Sequence, residues 1–512
     1  MHIDGNQLNS GVREADLCII GAGAAGIAIA LELRNSGLKI ILLEAGGFEM
    51  YQQSQNLYFT QMEDSPKDCL GPEYGQMSRL RLFGGTTGHW GGWTRPLDPH
   101  DFYRRNWIPY SGWPIQQEDL VEAYRKASEL VEVDAFDFEA ENQGDVSKWV
   151  GKDLDVDFDG TPIIPRYFNI SGTPTRFGKR YRGDIVGASD IELITSANMV
   201  QFECGPGFNN DAHHVQSVRI MNYNGQVSLI RAKKFVLACG AIENARLLLN
   251  SNDTVPMGLG NQNDLVGRFF MEHPHATLGF FVGTTTRQRL DPYLSPQPPY
   301  RGPNQSFRQP VLMTRSEFQA RHQVGSFSCQ IQGGDAPPEV ADQPTIEDVL
   351  ALCRKRREIE GEPDYLKLYM RSEMEPDPQN RVSLEPEKDQ LGLQIAKLTV
   401  RFSERDLRNA RISTEAVIRV LSALDMGRGQ ITLEGENIWP RDLFGGFHHM
   451  GTTRMADDPS QGVVDRHCKV HGVSNLYVAG SSVFPTAGCA NPTLTILALA
   501  VRLSQHLKGQ RS

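Results

Sequence analysis

Gly21, Gly23 and Gly26 stand at G-x-G-x-x-G spacing between an isoleucine-rich apolar run, DLCII (16–20), and a helical pattern, IAIALELRN (27–35). Glycine there lets the backbone turn tightly and approach a pyrophosphate, and the helix start behind it offers N–H groups and the positive end of its dipole. Glu44 closes the next apolar run, KIILLEAGG (39–47), eighteen residues after Gly26. A carboxylate so placed can grip a ribose diol. Strand, glycine turn, helix and acid in register predict a bound dinucleotide, NAD or FAD. Near the other end, His448 and His449 are adjacent. An isolated His–His pair is ordinarily packing, and no further ligand stands at a spacing that would complete a metal site.

The elements that must position these residues are scattered. The first β-α-β unit spans about thirty residues by its period. KKFVLACGAIENARLLLNS (233–251) reads again as strand, glycine turn and helix, SNLYVAGSS (474–482) as a buried strand, and NPTLTILALAVRLSQHL (491–507) as a helix. Parallel strands need crossovers, so these pieces predict one parallel-sheet domain assembled from distant segments. Residues 276–330 and 380–402 carry short β-branched and aromatic runs between polar turns, which fit an antiparallel sheet better. Residues 285–310 are rich in proline and polar residues and read as a long loop, either a lid or a surface insertion. Residues 345–361 form an amphipathic, structural helix pattern.

With 512 residues, 39% hydrophobic and 22% charged, the chain has room for two domains and the composition of a soluble globular protein. A net charge of −10 with both signs interspersed argues against nucleic acid or an anionic membrane as partner. The first sixteen residues lack a signal-peptide pattern, and the apolar stretch at 493–501 is too short to span a bilayer. The eight cysteines show no C-x-x-C spacing and read as reduced thiols. A cytoplasmic enzyme with no membrane span is expected; a homo-oligomer is left open.

Several longer segments resemble the glucose–methanol–choline (GMC) oxidoreductases. RLRLFGGTTGHWGG (79–92) is similar to that family's second flavin-contacting motif, VGRFFMEHPH (266–275) and FVLACGAIENARLL (235–248) match family segments, and ITSANMV (194–200) is similar to the strand that contacts the adenine. FHHMGTTRM (447–455) and PTAGCANPTLTILALA (485–500) look like the two segments carrying the active-site pair. The resemblance favours FAD over NAD. It implies an α/β fold: an FAD-binding Rossmann-type parallel-sheet domain built from discontinuous segments (14–100, 190–275 and 446–512), plus an α+β substrate domain with an antiparallel sheet (101–189 and 276–445).

Residue by residue, the resemblance implies cofactor contacts at Gly21, Gly23, Gly26, Glu44 and Ala45, and in the flavin loop at Gly84, Gly85, Thr86, Thr87, His89, Trp90, Gly91 and Gly92. Val200, Gly240, Asn244, Gly480, Asn491, Pro492 and Thr493 complete that set. It makes His448 the catalytic histidine and Asn491 its partner. A neutral imidazole can take a hydroxyl proton near neutral pH, and an amide on the same oxygen can orient the carbon. Asn491 before Pro492 reads as an N-cap with proline at the first helical position. His273 and His275 are expected to be structural, and of the adjacent His448 and His449 only one is expected to reach the substrate, because neighbouring residues point in different directions. Pyranose 2-oxidases attach their flavin through the histidine of a Thr-His-Trp at the place of His89; here glycine replaces the threonine. The expected substrate is a sugar, glycoside or aminosugar, with oxygen or another acceptor taking the electrons. The alternatives are a sterol, a redox-silent FAD-binding lyase, and a subunit that passes electrons to a carrier.

Overall fold

The computed structural model describes residues 1–66, 69–136, 138, 156–206, 213–284, 290–295, 306–333, 346–356, 364–433, 435 and 438–509. Most of the expected 285–310 loop lies outside them.

One sheet of eight strands is built from both ends of the chain and a central block. Its order is His2–Asp4, Ile191–Thr195, Ile40–Leu43, Val12–Ile20, Val227–Leu237, His213–Met221 and Asn198–Pro206, with Leu476–Val478 also pairing with Val227–Leu237. The strands on the Val12–Ile20 side, and Leu476–Val478, run parallel. The parallel sheet carries an antiparallel meander at one edge, formed by Asn198–Pro206, His213–Met221 and Val227–Leu237. Short turns such as Asn222–Gly225 can join antiparallel neighbours without a crossover helix.

Ile40–Leu43 is wholly buried, as a strand covered on both faces must be. The helix Ala24–Leu33 hides Ile27, Ile29 and Leu33 completely, each burial being worth about 1.5–3 kcal/mol. It packs against the C-terminal helix Thr493–Gly509. Gly26 permits the first contact: a Cβ there would stand 1.9 Å from the carbonyl oxygen of Gly21, so only glycine lets this helix seat on its own turn.

A second sheet of nine strands has the main order Gly427–Ile431, Pro274–Gly283, Asp364–Ser372, Phe327–Gly333, Phe307–Thr314, Ile163–Ile170 and Trp93–Thr94. All these pairs are antiparallel, as the alternating pattern of 276–330 predicts. Residues 380–402 belong elsewhere. Arg381–Lys388 and Gln394–Arg401 form a hairpin in a separate three-stranded sheet, whose third member, Thr60–Ser65, pairs in parallel with Gln394–Arg401. The long helix Glu404–Ala423 starts on a capping box of Ser403 and Asp406 and backs the nine-stranded sheet. The pleat then divides Asp364–Ser372 by parity: Leu366, Leu368 and Met370 join the core, while Tyr369 and Arg371 face a cavity. The amphipathic helix expected over 345–361 is seen at Ile346–Lys355. No helix among the described residues is long and apolar enough to cross a membrane.

Candidate active site

A cavity of about 570 Å3 runs between the glycine turn and the His448 loop, with walls from both large sheets. At one end stand Gly21, Gly23, Glu44 and Ala45. The Glu44 carboxyl accepts the N–H groups of Ala22 (3.0 Å) and Gly46 (2.8 Å), tying the two crossover turns together; burial raises its pKa. Gly85, Thr86, Thr87, His89, Trp90 and Gly91 supply a second wall. Thr87 holds their turn, donating to the Gly84 carbonyl (2.6 Å) and accepting from the Phe177 N–H (3.2 Å). Arg79, Arg81 and Arg246, which also reach the cavity, converge on the buried carboxylate of Glu243.

The cavity has bare backbone where a flat cofactor needs it. Gly23, Gly240 and Gly480 line it, and a Cβ built on any of them meets nothing within 4 Å. The space beside these glycines is the cavity itself.

Five expected cofactor contacts do not line it. Gly26 packs on Gly21, as above. Gly84 lies against Gly178, whose nitrogen would be 2.3 Å from a Cβ, and Gly92 lies against Pro174. Asn244 is a tie between strand ends: its amide donates to Ser482 Oγ (2.9 Å) and the Ala479 carbonyl (3.2 Å), and its oxygen accepts the Cys239 N–H (2.8 Å). In place of Val200, Ala197 and Met199 face the cavity, because adjacent side chains of a strand point to opposite faces.

At the other end His448, Asn491 and Thr493 meet side chains of the nine-stranded sheet. Arg371 Nη1 donates to Asn491 Oδ1 (2.8 Å), and Asn491 Nδ2 lies 3.0 Å from His448 Nε2. Arginine has only donors, so its contact fixes which end of the Asn491 amide is oxygen. The amide nitrogen must then donate to His448, and Nε2 carries a lone pair. The proton of His448 therefore sits on Nδ1, 2.9 Å from His273 Nδ1, which accepts it. The same logic makes His275 Nε2 the acceptor for Arg371 Nε (3.2 Å), with its Nδ1 proton toward Tyr369 Oη (2.9 Å).

His273 and His275, expected to be structural, are thus partners of the pair. Desolvation, then the Arg371 charge, lower the pKa of His273 to about 3 and that of His275 well below the usual range. Desolvation and then the neighbouring His273, His275 and Arg371 do the same to His448. His449 also reaches the cavity and is lowered to about 3, mainly by burial.

Two buried acids hold the loops. The Glu272 carboxyl accepts the N–H of His448 (2.8 and 3.0 Å) and of His273 (2.8 Å), and Tyr74 Oη donates to it. It clamps the turn in which Phe447 adopts φ +61°, a conformation disfavoured for a bulky residue. Glu373 pairs bidentately with Arg105 (2.7 and 2.6 Å) and accepts the Gly488 N–H (3.2 Å), fixing the approach to Asn491. The N-cap expectation for Asn491 is corrected. The helix begins at Thr493, and the Pro492 carbonyl accepts the Ile496 N–H (2.9 Å). Pro492 is the cap, which frees the Asn491 side chain for Arg371 and His448.

Sequence reasoning missed Arg371, Tyr369, Glu272 and Gln330. The period-2 run YLKLYMRS (365–372) held a signal, since it puts Tyr369 and Arg371 on one face. Nothing local says that this face meets His448.

The GMC oxidoreductase family model matches residues 376–500. The fructose dehydrogenase large subunit of Gluconobacter japonicus is 26% identical, over 96% of this chain and 97% of its own. The 6'''-hydroxyparomomycin C oxidase of Streptomyces lividus is 24% identical, over 100% and 95%. Among solved structures, formate oxidase of Aspergillus oryzae shares the fold with a TM-score of 0.60 at 16% identity, over 98% of this chain and 99% of that one. The matched C-terminal segment contains both His448 and Asn491, and relatives that span nearly the full length of this chain support an enzyme acting on CH–OH groups.

Proposed function

We propose that the chain binds FAD in this cavity and oxidises a CH–OH group of a sugar or glycoside, with His448 as the base. The observation that carries this reading is the 3.0 Å approach of Asn491 Nδ2 to His448 Nε2 on the cavity wall, in the one amide orientation that Arg371 allows. The bare backbone of Gly23, Gly240 and Gly480 fits a large planar ligand, and the N-terminus of helix Ala24–Leu33 fits its pyrophosphate. FAD bound there would supply the acceptor for the hydride that leaves the substrate carbon.

The rest is done by side chains. A hydroxyl entering between His448 and Asn491 replaces their mutual hydrogen bond. It gives its proton to Nε2 and accepts from Nδ2, and both contacts fix the carbon. The charge that His448 gains is shared through Nδ1–H with His273. The domain division given above, 14–100, 190–275 and 446–512 against 101–189 and 276–445, belongs to the same reading, with the site where the two meet. The two relatives, named for a sugar and an aminoglycoside, support a carbohydrate substrate.

Anaerobic addition of pyranoses and glycosides to the yellow protein is expected to bleach the flavin band. If dithionite bleaches it and no alcohol does, the oxidation reading fails and a redox-silent role replaces it. His89 lines the cavity and is the candidate for covalent attachment. Acid precipitation reads this directly: a yellow pellet is the result expected of a bond, whereas a colourless pellet under a yellow supernatant rules it out.

A further inference from the structure

The catalytic end of the cavity carries one permanent charge among the described residues that line it. Its histidines are neutral, for the reasons above, and Arg371 is not. The guanidinium is buried, the residue being only 7% exposed, yet it touches only neutral groups: Asn491 Oδ1, His275 Nε2, and the faces of Phe168 (5.1 Å) and Trp93 (5.8 Å). The other arginines lining the cavity all have carboxylates: Arg79 and Arg81 have Glu243, and Arg246 has both Glu243 and Asp389. Arg454 also lacks a carboxylate, but it lies outside the cavity, packed against Tyr110 and Phe269.

Removing a cation from water without a counter-charge is expensive, and burial accordingly lowers the pKa of Arg371. Binding Asn491 and orienting His275 do not need a charge; a glutamine or histidine donor would serve. The two bonds also use only part of the fork, since a guanidinium has five N–H groups. The unused ones suit a planar, two-oxygen acceptor. Across the register, Gln330 pairs with Tyr369 and Ser328 with Arg371. Gln330 and Tyr369 also face the cavity, so polar groups flank the fork where ring hydroxyls would lie.

We propose that Arg371 is the receptor for a carboxylate on the substrate, and that the alcohol oxidised here is a sugar acid or acidic glycoside, not an aminosugar. The proposal rests on the assignment of His448 and Asn491, because Arg371 binds Asn491 directly and so places the anion within a ring's width of the reacting hydroxyl. An ammonium in that position would face an unscreened guanidinium.

The test uses the flavin-loaded enzyme and three glycosides of one shape: a methyl glucuronide, a methyl glucoside and a methyl glucosaminide. Binding is read by calorimetry and reduction by anaerobic bleaching, in wild type, Arg371→Gln and Arg371→Lys. Wild type is expected to bind the glucuronide about 100-fold more tightly than the glucosaminide. Arg371→Gln should collapse that spread, and Arg371→Lys should retain part of it. Equal binding of the three glycosides by wild type overturns the proposal, and needs no variant to fold. So does an equal loss for all three in Arg371→Gln, which is the signature of a residue that only positions Asn491. If the binding order holds while none of the three bleaches the flavin, the anion site stands and the oxidation reading falls.

Discussion

His448→Ala is expected to lower the rate of anaerobic flavin bleaching about 1000-fold, in the range general base catalysis supplies, while the protein stays yellow. The two halves of this result come from different ends of the cavity. Flavin retention depends on the glycine turn, Glu44 and the bare backbone at Gly240 and Gly480, none of which touches the imidazole. Turnover, in the proposed reading, depends on the Nε2 lone pair. Its two imidazole neighbours cannot stand in: His273 meets His448 on its far nitrogen, and His275 spends its acceptor on Arg371. Stopped-flow reduction by a sugar that bleaches the wild type is the measurement. A variant that keeps the wild-type rate removes His448 from the mechanism.

The second large effect is on stability against pH. Burial lowers the pKa of His273 and His449 to about 3 from 6.5. Between those limits the unfolded chain binds their protons and the folded one does not, so stability falls as pH falls, by about 1.4 kcal/mol per unit for each. His448 and His275 act in the same direction. Buried acids oppose them, among them Glu44, Asp101 and Glu375, whose pKa values burial raises, and above all Glu272 and Asp406. Burial raises Glu272 to about 8 from 4.5 and Asp406 to about 7 from 3.8. Down to about 4.5 these carboxyls are protonated when folded and ionised when unfolded, so their contribution strengthens as pH drops. Below that, and below about 3.8 for Asp406, the unfolded chain takes up those protons too, and the two acids no longer offset the histidines.

The stability profile should therefore fall less steeply from pH 6.5 to about 4.5 than below, where the loss reaches several kcal/mol per unit. It should also decline from about 6.5 toward 8, as the two acids ionise in the fold. Denaturant midpoints of the apoprotein between pH 3.5 and 8.5 give the curve. Glu272→Gln should bring the steep acid loss to higher pH. A profile that Glu272→Gln leaves unchanged between pH 6.5 and 4.5 would show that Glu272 is ionised in the folded protein, against this account.

What could be read in advance was local. The turn at Gly21–Gly26 declares itself because strand, glycines, helix and acid follow one another within thirty residues. His448 and Asn491 emerged from resemblance, since a lone His–His pair carries no such information. Arg371 and His275 escaped because they meet only through the register of two antiparallel strands, in which His275 lies opposite Arg371. The alternation of 365–372 gave the face but not what it faces. Residues 381–401 escaped for a similar reason. Their hairpin is local and legible, but its parallel partner, Thr60–Ser65, lies over three hundred residues away. Asn491 shows a different failure: the Asn-Pro helix start suggested capping by the side chain, and a stronger donor, Arg371, claimed it.

The eight-stranded sheet is finished late. Its strand Leu476–Val478 lies beside Val227–Leu237, and the helix Thr493–Gly509 covers Ala24–Leu33, a helix apolar on nearly every side. During translation the β-α-β unit of Val12–Ile20, Ala24–Leu33 and Ile40–Leu43 is made more than four hundred residues ahead of the helix that covers it, and its greasy helix stays uncovered meanwhile. A nascent chain carrying that uncovered helix exposes the kind of apolar surface that chaperones exist to cover, and the sheet closes only once Leu476–Val478 and Thr493–Gly509 have been made.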